Sequence, residues 1–278
     1  IETAHPLRLP LLVYFGLTAD FPAGNLRHYK FMLEGLKEVK ESLSNRDIMF
    51  IVQHSSPEEG TVKIGQEAAM VIVDKGYLGF QREWRKKVAE ELDCPVIEVE
   101  TDIVVPVGTA SEKEEYAART IRSRINDKRE NFLRKLEERE LNEPSLDFDF
   151  SSLNIQDVED VLKKLDIDRT VKPVDYLIGG TSNAKQHLSD FIDNKLDKYS
   201  ELRNNPSLDY QSSMSPYLHF GQISPVYIAL KILESNSKAM EDYLEELIVR
   251  RELAINFVYY DPDYYTLDCL PGWAYDTL

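Results

Sequence analysis

The sequence has few cysteines, few histidines and no long apolar run. Only two cysteines, Cys94 and Cys269, and five histidines occur among its 278 residues. Two cysteines cannot form a disulfide framework and are typical of a reducing compartment, so we expect an intracellular, cytoplasmic protein. The same scarcity argues against a structural zinc site, and we expect no metal site. Neither a membrane-spanning run nor a secretory signal is visible, which predicts that the protein has no membrane partner.

Basic residues are also in the minority. The chain has 33 lysines and arginines against 49 aspartates and glutamates, which gives a formal net charge of −16. Nucleic-acid binding usually leaves a basic footprint, so this balance argues against such a partner unless basic side chains line a local groove. Because the first residue is isoleucine rather than methionine, we expect the natural N-terminus to lie further upstream.

Short apolar segments alternate with amphipathic stretches over residues 1–105. Strands are predicted at 11–15, 48–52, 70–73 and 95–100, since these segments are rich in β-branched residues and bounded by polar or turn residues. The stretches between them repeat apolar residues at helical spacing. This alternation predicts a Rossmann-like α/β domain with a parallel sheet covered by helices, from which an opening strand–helix unit is expected to be missing.

The remainder of the chain changes to helical patterns. Residues 111–140 predict a long charged helix with a thin apolar stripe, inside a partly helical interdomain connector at 106–180. From 181 to 278 three amphipathic helices predict an all-α domain. The chain ends where a further helix begins, so we expect this second domain to be incomplete.

The segment "QSSMSPYLHFGQISP", from Gln211 to Pro225, crowds small hydroxyl residues before a predicted helix. Serine hydroxyls and backbone N–H groups at a helix N-terminus can hold a phosphate group, and Ser212, Ser213 and Ser215 are suitably placed for it. The simpler explanation is a helix N-cap with a few surface serines. Spacing alone leaves both open.

As a whole, the pattern "SxxSPYLHFGQIS" strongly resembles the flavin-binding signature of DNA photolyases, especially the class II cyclobutane pyrimidine dimer photolyases. The segments "FIDNKLDKYSELRNNPS", "LEELIVRRELAINFVYYDPDYYTLDCLPGWA", "HYKFMLEGLKEV" and "VVPVGTASEKEEYAARTIR" resemble the same family. Full-length members extend well beyond the last match, so much of the C-terminal half is expected to be missing.

The resemblance implies an activity, a cofactor and a partner. The activity is light-dependent repair of cyclobutane pyrimidine dimers by electron transfer from reduced FAD. The partner is damaged duplex DNA with the dimer flipped out of the stack, bound by a monomeric enzyme. The first domain resembles the family's antenna domain, which can hold a second chromophore such as a deazaflavin.

The resemblance also assigns residues. It places the FAD pyrophosphate at Gln211, Ser212, Ser213, Met214 and Ser215. It places Tyr199 beside the cofactor, although helical periodicity alone favours a core aromatic there.

Glu246 matches the active-site glutamate that hydrogen-bonds the dimer, and the alternative is an ordinary solvated acid on an acidic helix. Arg203, Arg250 and Asn256 fall near the DNA or the dimer. Arg250 stands where some relatives carry tryptophan; it can stack on a base, or simply pair with Glu246 one turn away.

Two other functions stay open: a cryptochrome-like flavin photoreceptor, and an α/β nucleotide-binding or interaction protein without flavin.

Overall fold

The computed structural model describes residues 1–137 and 139–277 of the chain. Its first part contains four strands, β1 (Leu12–Leu17), β2 (Met49–His54), β3 (Val71–Asp74) and β4 (Val96–Val99). β1 pairs with β2 and β3 pairs with β4, in both cases in parallel. Every predicted strand therefore forms close to its expected position, and the parallel α/β character of this part is confirmed.

One helix precedes these strands and three others connect them. They are α1 (Ala4–Leu7), α2 (Leu26–Ser44), α3 (Pro57–Gly65) and α4 (Gly79–Glu91). Asn25 begins α2, since its side-chain oxygen accepts a hydrogen bond from the backbone N–H of His28. Tyr29 and Leu33, on one face of α2, are buried in the core that also contains Phe50 of β2. α3 packs against β1 and α4.

The four strands form two separate pairs within the described residues, rather than one continuous sheet. A cavity of about 660 Å³ is lined by residues of both β1 and β3. Three consecutive residues of β1, Leu12–Tyr14, and all four of β3 border this cavity. Successive side chains of a strand point to opposite faces of the sheet, so a cavity on one face would touch only every second residue. This cavity touches consecutive residues and therefore runs along the edges of the strands. It therefore separates the edge of β1 from that of β3.

Residues 103–180 divide their contacts between two cores. Ile121 and Ile125 of α6 (Ala118–Asn126) are buried in the core of the helical part. Ile155 and the helix α7 (Val158–Lys164) instead pack on the α/β core. A hydrogen bond of 2.7 Å from the backbone N–H of Leu153 to the carbonyl of Val52 holds this returning segment beside β2. The domain boundaries at 105 and 180 stay a prediction, and the segment between them belongs to both packing units.

The long helix predicted at 111–140 is wrong. Within its described residues, only α6 and a 3-10 turn at Arg129–Asn131 are helical, while Glu138 lies outside the described residues. The backbone N–H of Glu115 donates to the side chain of Asn256 at 2.7 Å. That bond uses the N–H that an α-helix beginning at residue 111 would need, so a tertiary contact replaces the start of the predicted helix, and α6 begins only at Ala118.

The second part is helical, as predicted. Its helices are α8 (Thr181–Asn194), α9 (Tyr199–Leu202), α10 (Ser215–His219), α11 (Pro225–Glu234), α12 (Met240–Leu244), α13 (Arg251–Tyr260) and α14 (Gly272–Tyr275), with a short α5 at Val107–Ala110 in the preceding segment. A π-helix at Glu245–Arg250 joins α12 to α13 without a break, and 3-10 turns lie at Leu196–Lys198 and Leu267–Cys269. None of the helices in the described ranges is both long enough and apolar enough to cross a bilayer.

Candidate functional site

A cavity of about 440 Å³ opens in the helical part. α9, the loop after it, α10 and the continuous helix α12–π–α13 surround it. Its lining consists of Tyr199, Arg203, Asn204, Gln211, Ser212, Met214, Ser215, Leu218, Tyr243, Glu246, Leu247 and Arg251. Most of the predicted site residues, which lie up to 47 positions apart in the sequence, therefore meet at one cavity. Ser213, Arg250 and Asn256 do not line it.

Every residue of the serine-rich loop from Gln211 to Ser215 lines the cavity except Ser213. Ser213 has a φ of 56°, the left-handed conformation that side chains disfavour, and it is exposed to solvent. The reversal at Ser213 leaves Ser212 and Ser215 on the cavity wall, while the Met214 side chain is buried and anchors the loop. No serine side chain caps α10, whose N-cap position is Met214. The simpler explanation is therefore wrong about a helix cap, while Ser213 and Ser215 are exposed, as it expected of surface serines.

Glu246 lies at the first turn of the π-helix and is paired with Arg203. Arg203 Nη1 is 2.9 Å from Glu246 Oε1, and the Glu246 side chain is 42% exposed. The guanidinium carbon of Arg203 also lies 5.3 Å from the ring centroid of Tyr199. Tyr199, Arg203 and Glu246 thus form one connected row along the cavity, in which Arg203 fixes the position of the carboxylate.

Tyr199 is also a core residue. It is buried among the aromatic rings of Phe191 and Tyr243, at centroid distances of 5.7 Å and 5.3 Å. Tyr199 is a core aromatic and a cavity-wall residue at once, because its ring packs in the core and the residue also lines the cavity. Its contact with a cofactor stays a prediction.

Arg250 pairs with Glu245, and the predicted pair with Glu246 is wrong. Arg250 Nε is 3.3 Å from Glu245 Oε1, and Arg122 forms two hydrogen bonds with the same carboxylate at 2.9 Å and 2.7 Å. A π-helix has i→i+5 geometry, so it brings residue 250 over residue 245 instead of 246. Hydrogen bonding to Arg122 lowers the pKa of Glu245. Arg250 remains 54% exposed beside the cavity.

Asn256 lies away from the cavity and joins two parts of the chain. Its side chain is fully buried, accepts from the backbone N–H of Glu115 and donates to the carbonyl of Lys113 at 3.1 Å. Both ends of the amide are therefore occupied inside the protein. Its predicted role near the DNA or the dimer is not tested by this placement and stays a prediction.

Four residues of this wall, Asn204, Leu218, Tyr243 and Leu247, carry no signal that sequence reasoning could have used to rank them. Asn204 and Leu218 lie near predicted residues, and Tyr243 and Leu247 look like further apolar positions of a helix. Only the fold shows that these four share a surface. Arg251 also lines the cavity, and it donates to the carbonyl of Asp102.

The donor set of the cavity suits a diphosphate group. The hydroxyls of Ser212 and Ser215 and the guanidinium groups of Arg203 and Arg251 are hydrogen-bond donors, and the only acidic side chain on the wall is Glu246. Leu218 and Leu247 provide an apolar side for an attached ring. These residues fit the phosphate end of FAD. For a metal ion, no group of three or more His, Cys, Asp or Glu side chains comes together in the part of the chain that the structure describes.

The sequence matches the model of the family described as DNA photolyase over residues 1–144. The deoxyribodipyrimidine photo-lyase of Methanothermobacter thermautotrophicus is 43% identical over 278 residues, which is 100% of this chain and 61% of that protein. The enzyme of the same name from Potorous tridactylus is 34% identical over 98% of this chain and 52% of its own length. The chain thus spans only half to three fifths of the length of these curated relatives.

Two solved structures share the fold. A Synechocystis cryptochrome superimposes with a TM-score of 0.76 at 14% sequence identity, covering 95% of this chain and 59% of that one. An archaeal photolyase from Sulfolobus tokodaii superimposes with a TM-score of 0.69 at 18% identity, covering 91% and 54%. Since the family model covers more than half of the chain and the photo-lyase relatives align along nearly all of it, this chain belongs to the DNA photolyase family.

Proposed function

We propose that this protein repairs cyclobutane pyrimidine dimers in DNA in a light-dependent reaction with FAD as its cofactor. The observation that carries the proposal is the cavity itself. Residues that the photolyase resemblance assigns separately to cofactor and to substrate, such as Ser212 and Glu246, lie on the walls of one cavity. The Methanothermobacter and Potorous proteins named deoxyribodipyrimidine photo-lyase, which align with 100% and 98% of the chain, support the proposal.

In this proposal the serine-rich loop and Tyr199 hold the cofactor. When bound and reduced, FAD supplies the light-absorbing electron donor of the reaction. Ser212, Ser215 and Gln211 would donate hydrogen bonds to its diphosphate, and Tyr199 would pack against it. Gln211 already donates to the carbonyl of Arg203 at 2.6 Å, which fixes the start of the loop. In the same proposal Ser213 would contact a phosphate group, and Met214 would form part of the wall and anchor the loop.

Glu246 and Arg203 would act on the substrate. The carboxyl group of Glu246 reaches the cavity from the π-helix, and Arg203 prevents it from turning away. Negative charge that arrives on the pyrimidine carbonyls would be stabilised by donors that are already in place, because no reorganisation is then needed. Arg203 is such a donor, and the Glu246 carboxyl is one in its protonated form, since a carboxylate only accepts. Two arginines, Arg203 and Arg251, and one acid, Glu246, line this wall, which supports an anionic ligand there although the net charge of the chain is −16.

An absorbance spectrum and a repair assay test the proposal together. The purified protein should show a flavin absorption band that bleaches on photoreduction. It should also restore undamaged thymines in a dimer-containing oligonucleotide under blue light and not in the dark. A protein with flavin but without light-dependent repair would favour the cryptochrome-like photoreceptor instead. A colourless protein that stays colourless with added FAD would favour the nucleotide-binding alternative.

The finer predictions belong to the same proposal. They are the class II assignment, a duplex with a flipped dimer as the substrate, a monomeric state, an intracellular location and a second chromophore in the α/β part. The Sulfolobus tokodaii photolyase is described with two FAD molecules, one implicated in light harvesting. Extraction of the chromophores followed by chromatography distinguishes a deazaflavin from a second FAD in this protein.

A further inference from the structure

Tyr243 is a buried residue of the cavity wall to which the proposed function gives no role. It belongs to α12, and its side chain is only 5% exposed. Its ring packs against Phe191 and Tyr199 with centroid distances of 5.0 Å and 5.3 Å. The hydroxyl lies 2.9 Å from the Oγ atom of Ser212, and no other partner of this hydroxyl is present among the described residues.

The direction of this hydrogen bond follows from the cost of leaving a buried donor unpaired. If Ser212 donated to Tyr243, the phenol hydrogen would have no acceptor among the described residues. An unpaired buried donor is more costly than a lost hydrogen bond at the surface. Tyr243 therefore donates, and Ser212 Oγ accepts. Burial raises the pKa of Tyr243 well above its usual value, so the phenol keeps this hydrogen at every ordinary pH.

Ser212 is left with one possible orientation for its own hydrogen. The backbone N–H of Met214 lies 3.4 Å from the same Oγ atom and is a second, weaker donor to it. A serine hydroxyl has two acceptor positions and one donor hydrogen. When both acceptor positions face Tyr243 and Met214, the hydrogen points to the remaining side. Ser212 lines the cavity, so that side is the cavity.

We propose that Tyr243 is a positioning residue, which holds the Ser212 hydroxyl as a hydrogen-bond donor directed at a phosphate of the bound cofactor. This inference rests on the proposed cofactor, since it names the group that receives the bond. A free serine hydroxyl spends part of its time with its lone pairs toward the ligand, which an anion repels. Tyr243 removes those orientations before the ligand binds, and the site gains affinity for diphosphates without an additional charge.

A double-mutant cycle tests the coupling between the two residues. Tyr243→Phe keeps the ring packing and removes the phenol oxygen. It should weaken FAD binding by the purified apoprotein roughly fivefold, the loss of about one hydrogen bond. Ser212→Ala should weaken it at least as much. The double variant should bind FAD no more weakly than Ser212→Ala alone, because Tyr243 acts only through Ser212. Additive losses, or an unchanged affinity in Tyr243→Phe, would overturn the proposal.

Thermal stability provides a readout that does not depend on flavin. Ser212→Ala leaves the buried phenol of Tyr243 without an acceptor and should lower the melting temperature. Adding Tyr243→Phe to it should restore part of that loss. The matched control is Tyr217→Phe, which removes another buried phenol from the same core. That phenol donates to the carbonyl of Ile178 at 2.9 Å and lies outside the cavity wall. Tyr217→Phe should lower stability and leave FAD affinity unchanged.

Two further ligands separate failure of this inference from failure of the proposed function. ADP carries a diphosphate without a flavin, and riboflavin carries a flavin without a phosphate. Tyr243→Phe should weaken ADP binding by the same factor as FAD binding and leave riboflavin binding unchanged. If the parent protein binds ADP with this pattern but shows no flavin, the positioning role stands and the photolyase function fails. Equal weakening of riboflavin would show that the ring, not the phosphate, depends on Tyr243, and would overturn the inference.

Discussion

Ser212 and Ser213 are neighbours in the chain but have different surroundings. The left-handed backbone at Ser213 turns this residue to solvent, while Ser212 and Ser215 face the cavity. We expect Ser212→Asp with Ser215→Asp to expel FAD, because two carboxylates would repel its phosphates across a few ångströms. Ser213→Asp adds one charge on an exposed side chain outside the wall, so it should release less flavin than the double variant, although the resemblance places Ser213 among the phosphate contacts. The ratio of flavin to protein absorbance measures both, and full occupancy in the double variant would contradict the proposed site.

Glu246 is held by Arg203, so its two substitutions should differ. Glu246→Gln keeps a side chain that can donate one hydrogen bond, and we expect a moderate drop in the quantum yield of dimer splitting. Glu246→Ala removes the group, and we expect a drop of roughly a hundredfold, as for loss of one donor to developing charge. Both variants should retain FAD. Glu241→Gln, an exposed acid that pairs with Arg129, is the control. An alanine variant with the parental quantum yield would remove Glu246 from the mechanism.

The π-helix at Glu245–Arg250 determines which charges meet. Because its turn is wider, Arg250 and Arg122 hold Glu245, and Glu246 is left to Arg203 and the cavity. An α-helix of the same sequence would have brought Arg250 to Glu246 and occupied the carboxylate. The widened turn thus separates a structural ion cluster from the candidate catalytic carboxyl, although the two acids are adjacent in sequence.

Arg250→Ala tests what the exposed guanidinium of this π-helix does. We expect it to weaken binding to dimer-containing DNA more than binding to undamaged DNA, because a guanidinium can stack on the flipped base and reach a carbonyl. A contact to phosphate alone would instead lower both affinities equally and reduce the slope of binding against salt by about one. Filter binding with both DNAs at two salt concentrations separates these cases. Arg46→Ala, an exposed arginine of the α/β part, controls for lost charge, and equal losses on both DNAs would exclude stacking.

Local patterns predicted the regular elements, and long-range contacts explain what they missed. The strands formed where β-branched runs were bounded by turn residues, because that signal is contained in the segment itself. The start of the helix predicted at 111–140 is missing where Asn256, over 100 residues away, binds the backbone of Glu115, and the contacts give no reason for its early end at Asn126. In the site, the position of Glu246 on the cavity wall agrees with the resemblance. The ion pair between Glu246 and Arg203 and the place of Tyr243 on the same wall result from tertiary packing, which no short segment of the sequence encodes.

The two halves of the protein meet at α13. Glu252 is buried there, and its carboxylate accepts from the backbone N–H groups of Val104 at 2.6 Å and Val105 at 3.3 Å. Asn256, one turn later, binds Lys113 and Glu115, and Arg251 donates to Asp102. One helix therefore holds the segment that leaves the α/β part. The same continuous helix carries Glu246, so loosening this junction should also disturb the cavity.

The junction should make the stability of the protein depend on pH through Glu252. Burial has the largest effect on Glu252, and its pKa is raised to about 8. The two backbone N–H donors and the charge of Arg251 lower the pKa, but by less than burial raises it. The folded protein therefore binds a proton more tightly than the unfolded chain, whose glutamate has its ordinary value of about 4.3. The resulting stabilisation is complete below that value and is lost as the pH rises toward 8, by at most about 1.4 kcal/mol per pH unit.

Glu252→Gln tests this dependence, because the amide has almost the same shape and cannot ionise. The difference between the urea unfolding free energies of the parent and the variant isolates Glu252 from all other titrating groups. We expect the parent to lose stability relative to the variant between pH 5 and pH 8, and the difference to be constant above pH 9. A difference that does not change with pH would show that Glu252 has a similar pKa in both states. A difference that changes in the opposite direction would show that the two backbone donors outweigh burial and keep the carboxylate ionised at the junction.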